Sequence, residues 1–228
     1  MSGRVIVALD VERHAQATRL VEQLGPTATF YKVGLQLLTA AGPAVVRELV
    51  DARKLVFLDL KLHEIPNSVA GAVAAAGALG VSMVTVHASG GAAVLRAAVQ
   101  AARPYPNLRV LALTVITSLR DAELAEVGVP GGVEAQVLRL ARLAVAAGCD
   151  GVVASPREAA LLRGVLPNGA LIVTAGTQLP GEAANDQARV ASPADAIKAG
   201  ATHVVIGRSL TQAADPRAVF EQVMQSLG

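Results

Sequence analysis

Short runs of β-branched and aliphatic residues recur along the chain, each followed by a polar turn and then by an amphipathic segment rich in Ala, Leu and Arg. Continuous apolar runs of this length suit strands buried on both faces of a parallel sheet, and the alternation is that of βα units. Eight runs qualify as strands: residues 4–9, 28–33, 55–60, 81–87, 109–115, 151–154, 171–174 and 203–206, each with a helical segment after it. Eight such units in 228 residues predict an α/β protein with one domain, a (β/α)8 barrel over residues 1–228. A doubly wound sheet is the alternative, but no G-x-G-x-x-G follows the first strand, where a dinucleotide fold would place it. The one long irregular stretch, residues 175–192, falls between the seventh strand and its helix. That is the face on which barrels keep their active sites, and the stretch is read as a substrate-covering lid.

Composition narrows the classes further. Hydrophobic residues make up 53% of the chain, yet only three Phe and two Tyr are present and no Trp, so the core must be aliphatic. Stacking platforms for single-stranded nucleic acid are missing. Twenty basic against eighteen acidic residues leave a net charge of +2, and the cations are scattered, so charge predicts neither a nucleic-acid nor a membrane surface. Residues 69–86 carry no charge, but their Ala and Gly content suits a helix and a strand divided near Gly77 and Gly80 better than a bilayer span. Cys149 has no partner for an internal disulfide and is read as an inert buried thiol in a reducing compartment. The first apolar run is too short for a secretory signal, and a cytoplasmic location is expected.

Lysine usage points to candidate chemistry. The chain has four lysines, leaving sixteen arginines among its twenty basic residues, and Lys32 and Lys61 stand at the ends of predicted core strands. Lysine offers a compact charge and a transferable proton where arginine does not. Asp10 closes the first strand, Lys32 the second, and Asp59 and Lys61 the third, so four charges gather at one end of the barrel. Asp59 and Lys61 are two apart in an extended segment and point to the same side, as does Phe57, while Leu58 and Leu60 point the other way. A salt-bridge network closing the barrel mouth is the competing explanation, but burying four alternating charges is costly unless a function is gained.

A second site is predicted where the eighth strand runs into Gly207-Arg208-Ser209 and a helix. Glycine lets the backbone approach an anion, helix amides add donors, and the loops after strands seven and eight are the usual phosphate site of barrels. Gly207 and Arg208 are therefore candidate phosphate ligands, with Gln178 and Gln187 in the lid as amide donors. His63 and His87 lie near the charged cluster without a metal-binding spacing such as H-E-x-x-H, and no serine sits in a G-x-S-x-G elbow. Neither a metal site nor a serine hydrolase is expected.

The segment Phe57-Leu58-Asp59-Leu60-Lys61-Leu62-His63-Glu64-Ile65-Pro66-Asn67-Ser68 resembles the signature of the orotidine 5′-monophosphate decarboxylase family, bacterial type. Lys32-Val33-Gly34, Val86-His87-Ala88-Ser89-Gly90-Gly91, Thr114-Val115-Ile116-Thr117-Ser118, Asp150-Gly151-Val152-Val153, Asp186-Gln187 and Ile206-Gly207-Arg208-Ser209 look like its other motifs in order and spacing. The resemblance implies a homodimeric barrel that converts orotidine 5′-monophosphate (OMP) to UMP in pyrimidine synthesis without cofactor or metal. It implies catalytic roles for Lys32, Asp59 and Lys61, with Lys61 as proton donor, and for Glu64 contributed across the dimer interface. It further implies ribose contacts from Asp10, Lys32 and the neighbour's Ser68, a substrate contact at Ile65, pyrimidine contacts from Thr117 and Ser118, and phosphate contacts from Gln187, Gly207 and Arg208. The chain departs from the pattern at Glu64, where the family has Asp, at Gln178, in the place of a phosphate-binding Arg, and at Ser68, in the place of Thr. Metal-dependent sugar-phosphate decarboxylases or aldolases of the same superfamily, a Schiff-base lysine enzyme and a non-catalytic nucleotide-binding barrel are the competing readings.

Overall fold

The computed structural model describes residues 2–179 and 189–227. Eight parallel strands close into a barrel in chain order: β1 (Val5–Ala8), β2 (Phe30–Gly34), β3 (Leu55–Leu62), β4 (Met83–His87), β5 (Arg109–Leu113), β6 (Gly151–Ala154), β7 (Leu171–Thr174) and β8 (His203–Ile206). The ring is sealed by β1 against β8, with Val5, Ile6 and Val7 opposite Val204, Val205 and Ile206. Helices follow the strands: α1 (His14–Leu24), α2 (Leu35–Ala41), α3 (Ala44–Asp51), α4 (Pro66–Ala78), α5 (Gly91–Ala102), α6 (Asp121–Glu126), α7 (Gly132–Ala146), α8 (Ala159–Arg163), α9 (Pro193–Lys198), α10 (Arg208–Thr211) and α11 (Pro216–Ser226). The predicted barrel is therefore the observed one. The units after β2, β5 and β8 each carry two helices.

Strand pleating divides the core into two layers. Ile6, Phe30, Phe57, Met83, Leu111, Val153, Val173 and Val205 fill the barrel interior, while Val7, Tyr31, Leu58, Val84, Val110, Val152, Ile172 and Val204 pack outward under the helices. This is the period-2 alternation of strands buried on both faces. Lys32, Asp59 and Thr85 share the inward phase and stand one pleat above Phe30, Phe57 and Met83, so the polar residues form the layer nearest the C-terminal mouth. Cys149 is buried, and burial together with Asp150 pushes its thiol up to about 12, in keeping with an inert role.

The limits of the first five strands differ from those read in the sequence, β1 and β2 by one or two residues. β4 starts at Met83 and β5 ends at Leu113, shifts of the size at which element ends fray. β3 runs on to Leu62, because its pairing with β4 is irregular: Leu58 is opposite Val84 and Leu62 opposite Val86. Four steps along β3 thus face two along β4, and the extra residues bulge. The uncharged stretch 69–86 is divided between α4 and β4 around Gly80 (φ +80°), and among the described residues no helix is long and apolar enough to cross a membrane.

Barrel closure demands close approach at Gly151. A Cβ there would stand 2.1 Å from the Leu171 carbonyl oxygen and 2.6 Å from Leu171 Cβ, the residue it faces across the β6–β7 pair. Gly151→Ala is expected to force these strands apart and cost about 1–3 kcal/mol, the usual range for overpacking, read as a lower urea midpoint with an unchanged m-value.

Candidate active site

At the C-terminal mouth the strand ends enclose a cavity of about 740 Å³ lined by Asp10, Lys32, Asp59, Lys61, Thr117 and Arg208 among others. Lys32 Nζ lies 2.7 Å from Asp10 Oδ1 and 3.7 Å from Asp59 Oδ2, and Lys61 Nζ lies 2.8 Å from the same Asp59 oxygen. The four charges alternate in sign, and they differ in depth. The side chains of Asp59 and Lys32 are 6% and 9% exposed, against 33% for Lys61 and 48% for Asp10. Burial by itself raises the pKa of Asp59, but the ammoniums of Lys32 and Lys61 and hydrogen bonds from Lys61 and Thr85 outweigh it and hold the carboxyl below the usual carboxylate range. Asp59 therefore stays ionised in water-poor surroundings, and the folding stability tied to its charge is present above pH 4 and lost as the pH falls through its lowered pKa.

Local backbone geometry makes the cluster possible. Lys61 has φ +52°, a left-handed conformation that costs a residue with a side chain on the order of 1–3 kcal/mol. The expected same-side placement of Asp59 and Lys61 holds, but the bulge delivers it where a regular pleat was read. Gly34 follows Val33 at the end of β2, and a Cβ on it would come within 3.0 Å of both Asp10 Oδ1 and Lys32 Nζ. A hydrogen in that place leaves room for the pair.

The other predicted ligands divide into those the cavity includes and those it does not. Thr117, Ser118, Gly207 and Arg208 line it, joined by Ala175, Gly176 and Thr177. The helix after Gly207 is a single turn, α10, so charge and backbone donors there matter more than a helix dipole. Gln178 does not line the cavity; its N–H donates to the Ala191 carbonyl (3.1 Å), beside a bridge between Thr177 and Ala191 that ties together the two ends of the predicted lid. Gln187 lies outside the described residues, as does half of that lid. Glu12, Gln16, Gln36 and Gln212 also line the cavity and were missed in the sequence. They sit on the βα loops and helices, where polar residues are ordinary and carry no signal.

Glu64, Ile65 and Ser68 stand away from their own cavity in an exposed strip after β3. Hydrogen bonds from the Ser68 hydroxyl and the Ile65 N–H lower the Glu64 pKa, and Ile65 is 62% exposed. Beside this strip the rings of His63 and His87 stack at 5.0 Å. Burial, with the charges of His63 and Lys61, lowers the His87 pKa, and its Nδ1 meets the Ser89 hydroxyl at 2.6 Å. Among the described residues, no group of three His, Cys, Asp or Glu side chains could hold a metal ion.

The far end of the lid is anchored by a buried ion pair. Arg189 Nε donates to Glu158 Oε1 (2.8 Å), another of its nitrogens donates to the Leu119 carbonyl, and its own carbonyl accepts from Ser155 Oγ (2.8 Å). Glu158 Oε2 in turn accepts from the Ser155 N–H. The network thus joins the far end of the predicted lid to the loop that carries Thr117 and Ser118.

A closed parallel barrel with alternating buried charges and a Gly-Arg corner at the C-terminal mouth defines the class of (β/α)8 barrels built around a charged small-molecule pocket. The model of the Orotidine 5'-phosphate decarboxylase / HUMPS family matches residues 3–223, and the chain belongs to that family. It is 48% identical over 226 residues to the orotidine 5'-phosphate decarboxylase of Anaeromyxobacter dehalogenans, with 99% of both chains covered. The decarboxylase of Moorella thermoacetica is 49% identical over 227 residues, covering 96% of this chain and 90% of the relative. Among solved structures, the crystal structure of orotidine 5'-phosphate decarboxylase from Lactobacillus acidophilus superposes with a TM-score of 0.88 at 34% identity over 98% of each chain.

Glu158→Ala would leave the Arg189 guanidinium buried without its carboxylate. Breaking a buried pair from one side typically costs about 3–5 kcal/mol, and a loss of that size is expected in urea unfolding. A loss below about 1 kcal/mol would show that the pair is not what holds the segment down.

Proposed function

We infer that this protein decarboxylates OMP to UMP, and that Lys32, Asp59 and Lys61 perform the reaction. The observation that carries the reading is the Lys32–Asp59–Lys61 array at the cavity, with Lys61 Nζ already held 2.8 Å from Asp59. When the C6–carboxyl bond breaks, its electron pair stays on C6 in an sp2 orbital with no adjacent π-acceptor, and CO2 departs. A localised anion of this kind is stabilised by fixed charge placed beforehand. Lys61 supplies that charge, gives its proton to C6, and is reprotonated from water. Asp59 faces the substrate carboxylate and disfavours it more in the ground state than in the transition state, where the negative charge has moved toward C6. Asp10 and Lys32 hold the ribose, Thr117 and Ser118 the pyrimidine, and Gly207, Arg208 and Gln187 the phosphate. Phosphate binding remote from C6 then contributes to turnover by organising the site.

The active unit in this reading is a homodimer. Glu64, Ile65 and Ser68 lie away from their own cavity, as groups serving a neighbouring subunit would. In a second copy they complete the array and reach the ribose. Glu64 is one methylene longer than the aspartate of the family pattern, so its carboxylate needs a compensating retreat of the backbone. The reaction belongs to the cytoplasm, in keeping with a single buried thiol.

Ultraviolet-monitored conversion of OMP by EDTA-treated protein tests the activity. Turnover is expected, and Lys61→Ala is expected to abolish it while UMP still binds. Binding without turnover in the unsubstituted protein would favour a nucleotide-binding barrel, and loss of activity with EDTA a metal-dependent relative.

The shared site has its own test. Lys61→Ala and Glu64→Ala proteins, each inactive alone, should regain up to about a quarter of the activity on mixing and subunit exchange, since random pairing places half the chains in mixed dimers with one intact site each. Demonstrably mixed dimers with no activity would contradict it.

A further inference from the structure

Thr85 lies on β4 with its side chain in the inward phase, one pleat above Met83, and is fully buried. It does not line the cavity, so it does not meet a ligand there. Its hydroxyl donates to Asp59 Oδ1 (2.9 Å) and accepts from the Lys61 N–H (2.8 Å). The two oxygens of Asp59 are thereby distinguished: Oδ1 is held by Thr85, and Oδ2 by Lys61 Nζ with Lys32 nearby. The plane of the carboxylate is fixed.

The same contact answers a backbone requirement. Where β3 bulges between Leu58 and Leu62, the strand loses its regular ladder with β4, and the amide of Lys61 must find another acceptor. Thr85 supplies one, at the residue whose φ is +52°. One hydroxyl thus spans the base of Asp59's charge and the strained backbone that aims Lys61. Valine, of the same shape, would leave both groups unpaired in the interior.

We propose that Thr85 is a positioning residue for the decarboxylation, locking the Asp59 carboxylate and the Lys61 backbone into one register so that the ammonium is already aimed when substrate arrives. The proposal rests on the decarboxylase reading for its consequence and on the two hydrogen bonds for its geometry. Thr85 acts through Asp59 and Lys61 without touching the substrate. A misplacement of about 1 Å at reacting groups can cost on the order of 100-fold in rate, and a loss confined to the chemical step lowers kcat more than it raises KM.

The experiment compares Thr85→Val, Thr85→Ala and Thr85→Ser with the unsubstituted protein. In the Val and Ala variants kcat is expected to fall about 10–100-fold with KM changed less than about threefold, and the Ser variant to recover most of the rate. Removing a hydrogen bond to a carboxylate raises its pKa, so the acid limb of kcat/KM should move to higher pH in the Val and Ala variants and not in Ser. The Asp59 carboxyl, followed by carbon-13 NMR in ligand-free protein, should titrate higher in the same two variants. Unchanged kcat, or an Asp59 titration that does not move in whichever of the Val and Ala variants folds, would overturn the proposal. So would a Ser variant as impaired as the others, which would mark a packing role. Failure of the unsubstituted protein to convert OMP would strike the decarboxylase reading alone, because the NMR titration still reports the Thr85 contact.

Discussion

Asp59 keeps its charge at a side-chain exposure of 6% because Lys32 and Lys61 flank it and Lys61 and Thr85 hydrogen-bond to it. Without those partners burial would raise its pKa, working against the alternation of charge on which the site depends. The surrounding architecture can be understood as meeting this requirement. Parallel strands place Lys32, Asp59 and Thr85 in one inward-facing layer, Phe30, Phe57 and Met83 close off the layer beneath, and Gly34 keeps the Asp10–Lys32 contact open. Such an array spends folding stability to hold charge in place before the ligand arrives, which is the condition for electrostatic catalysis.

The peripheral structure serves the same mouth from two sides. On one, the Arg189–Glu158 network ties the far end of the predicted lid to the loop of Thr117 and Ser118. On the other, the exposed strip from His63 to Ser68 leaves a carboxylate and a hydroxyl without a role in their own cavity. In the proposed dimer, a nucleotide gripped by one rim segment, the lid and a second copy would couple phosphate recognition to the placement of charge near C6 without any single element spanning the distance.

Much of this was legible in the sequence. Strands buried on both faces read as uninterrupted β-branched runs, so the eight strands and the barrel could be anticipated, and charged residues closing such runs stood out against an aliphatic background. Family motifs carried the candidate roles of Asp10, Lys32, Asp59, Lys61, Thr117, Ser118, Gly207 and Arg208, all of which line the cavity. The remainder depends on relations that a linear pattern does not express. Val84-Thr85-Val86 reads as ordinary strand, because threonine is a good strand former, and only the bulge in β3 gives its hydroxyl two partners. Lys61 reaches Asp59 through a left-handed backbone that no propensity would assign to lysine. Glu158 and Arg189 are 31 residues apart and meet only because consecutive βα loops converge at the mouth.

The central claim, that fixed side-chain charge at this mouth stabilises an anion localised at C6, is tested most directly by running the last step backwards. UMP incubated with the protein in deuterium oxide should exchange its C6 hydrogen for deuterium much faster than UMP alone, because Lys61 and its array stabilise the same anion whether it forms by loss of CO2 or of a proton. Lys61→Ala should abolish the enhancement. Bound UMP that exchanges no faster than free UMP would contradict the account, whatever the overall rate of decarboxylation.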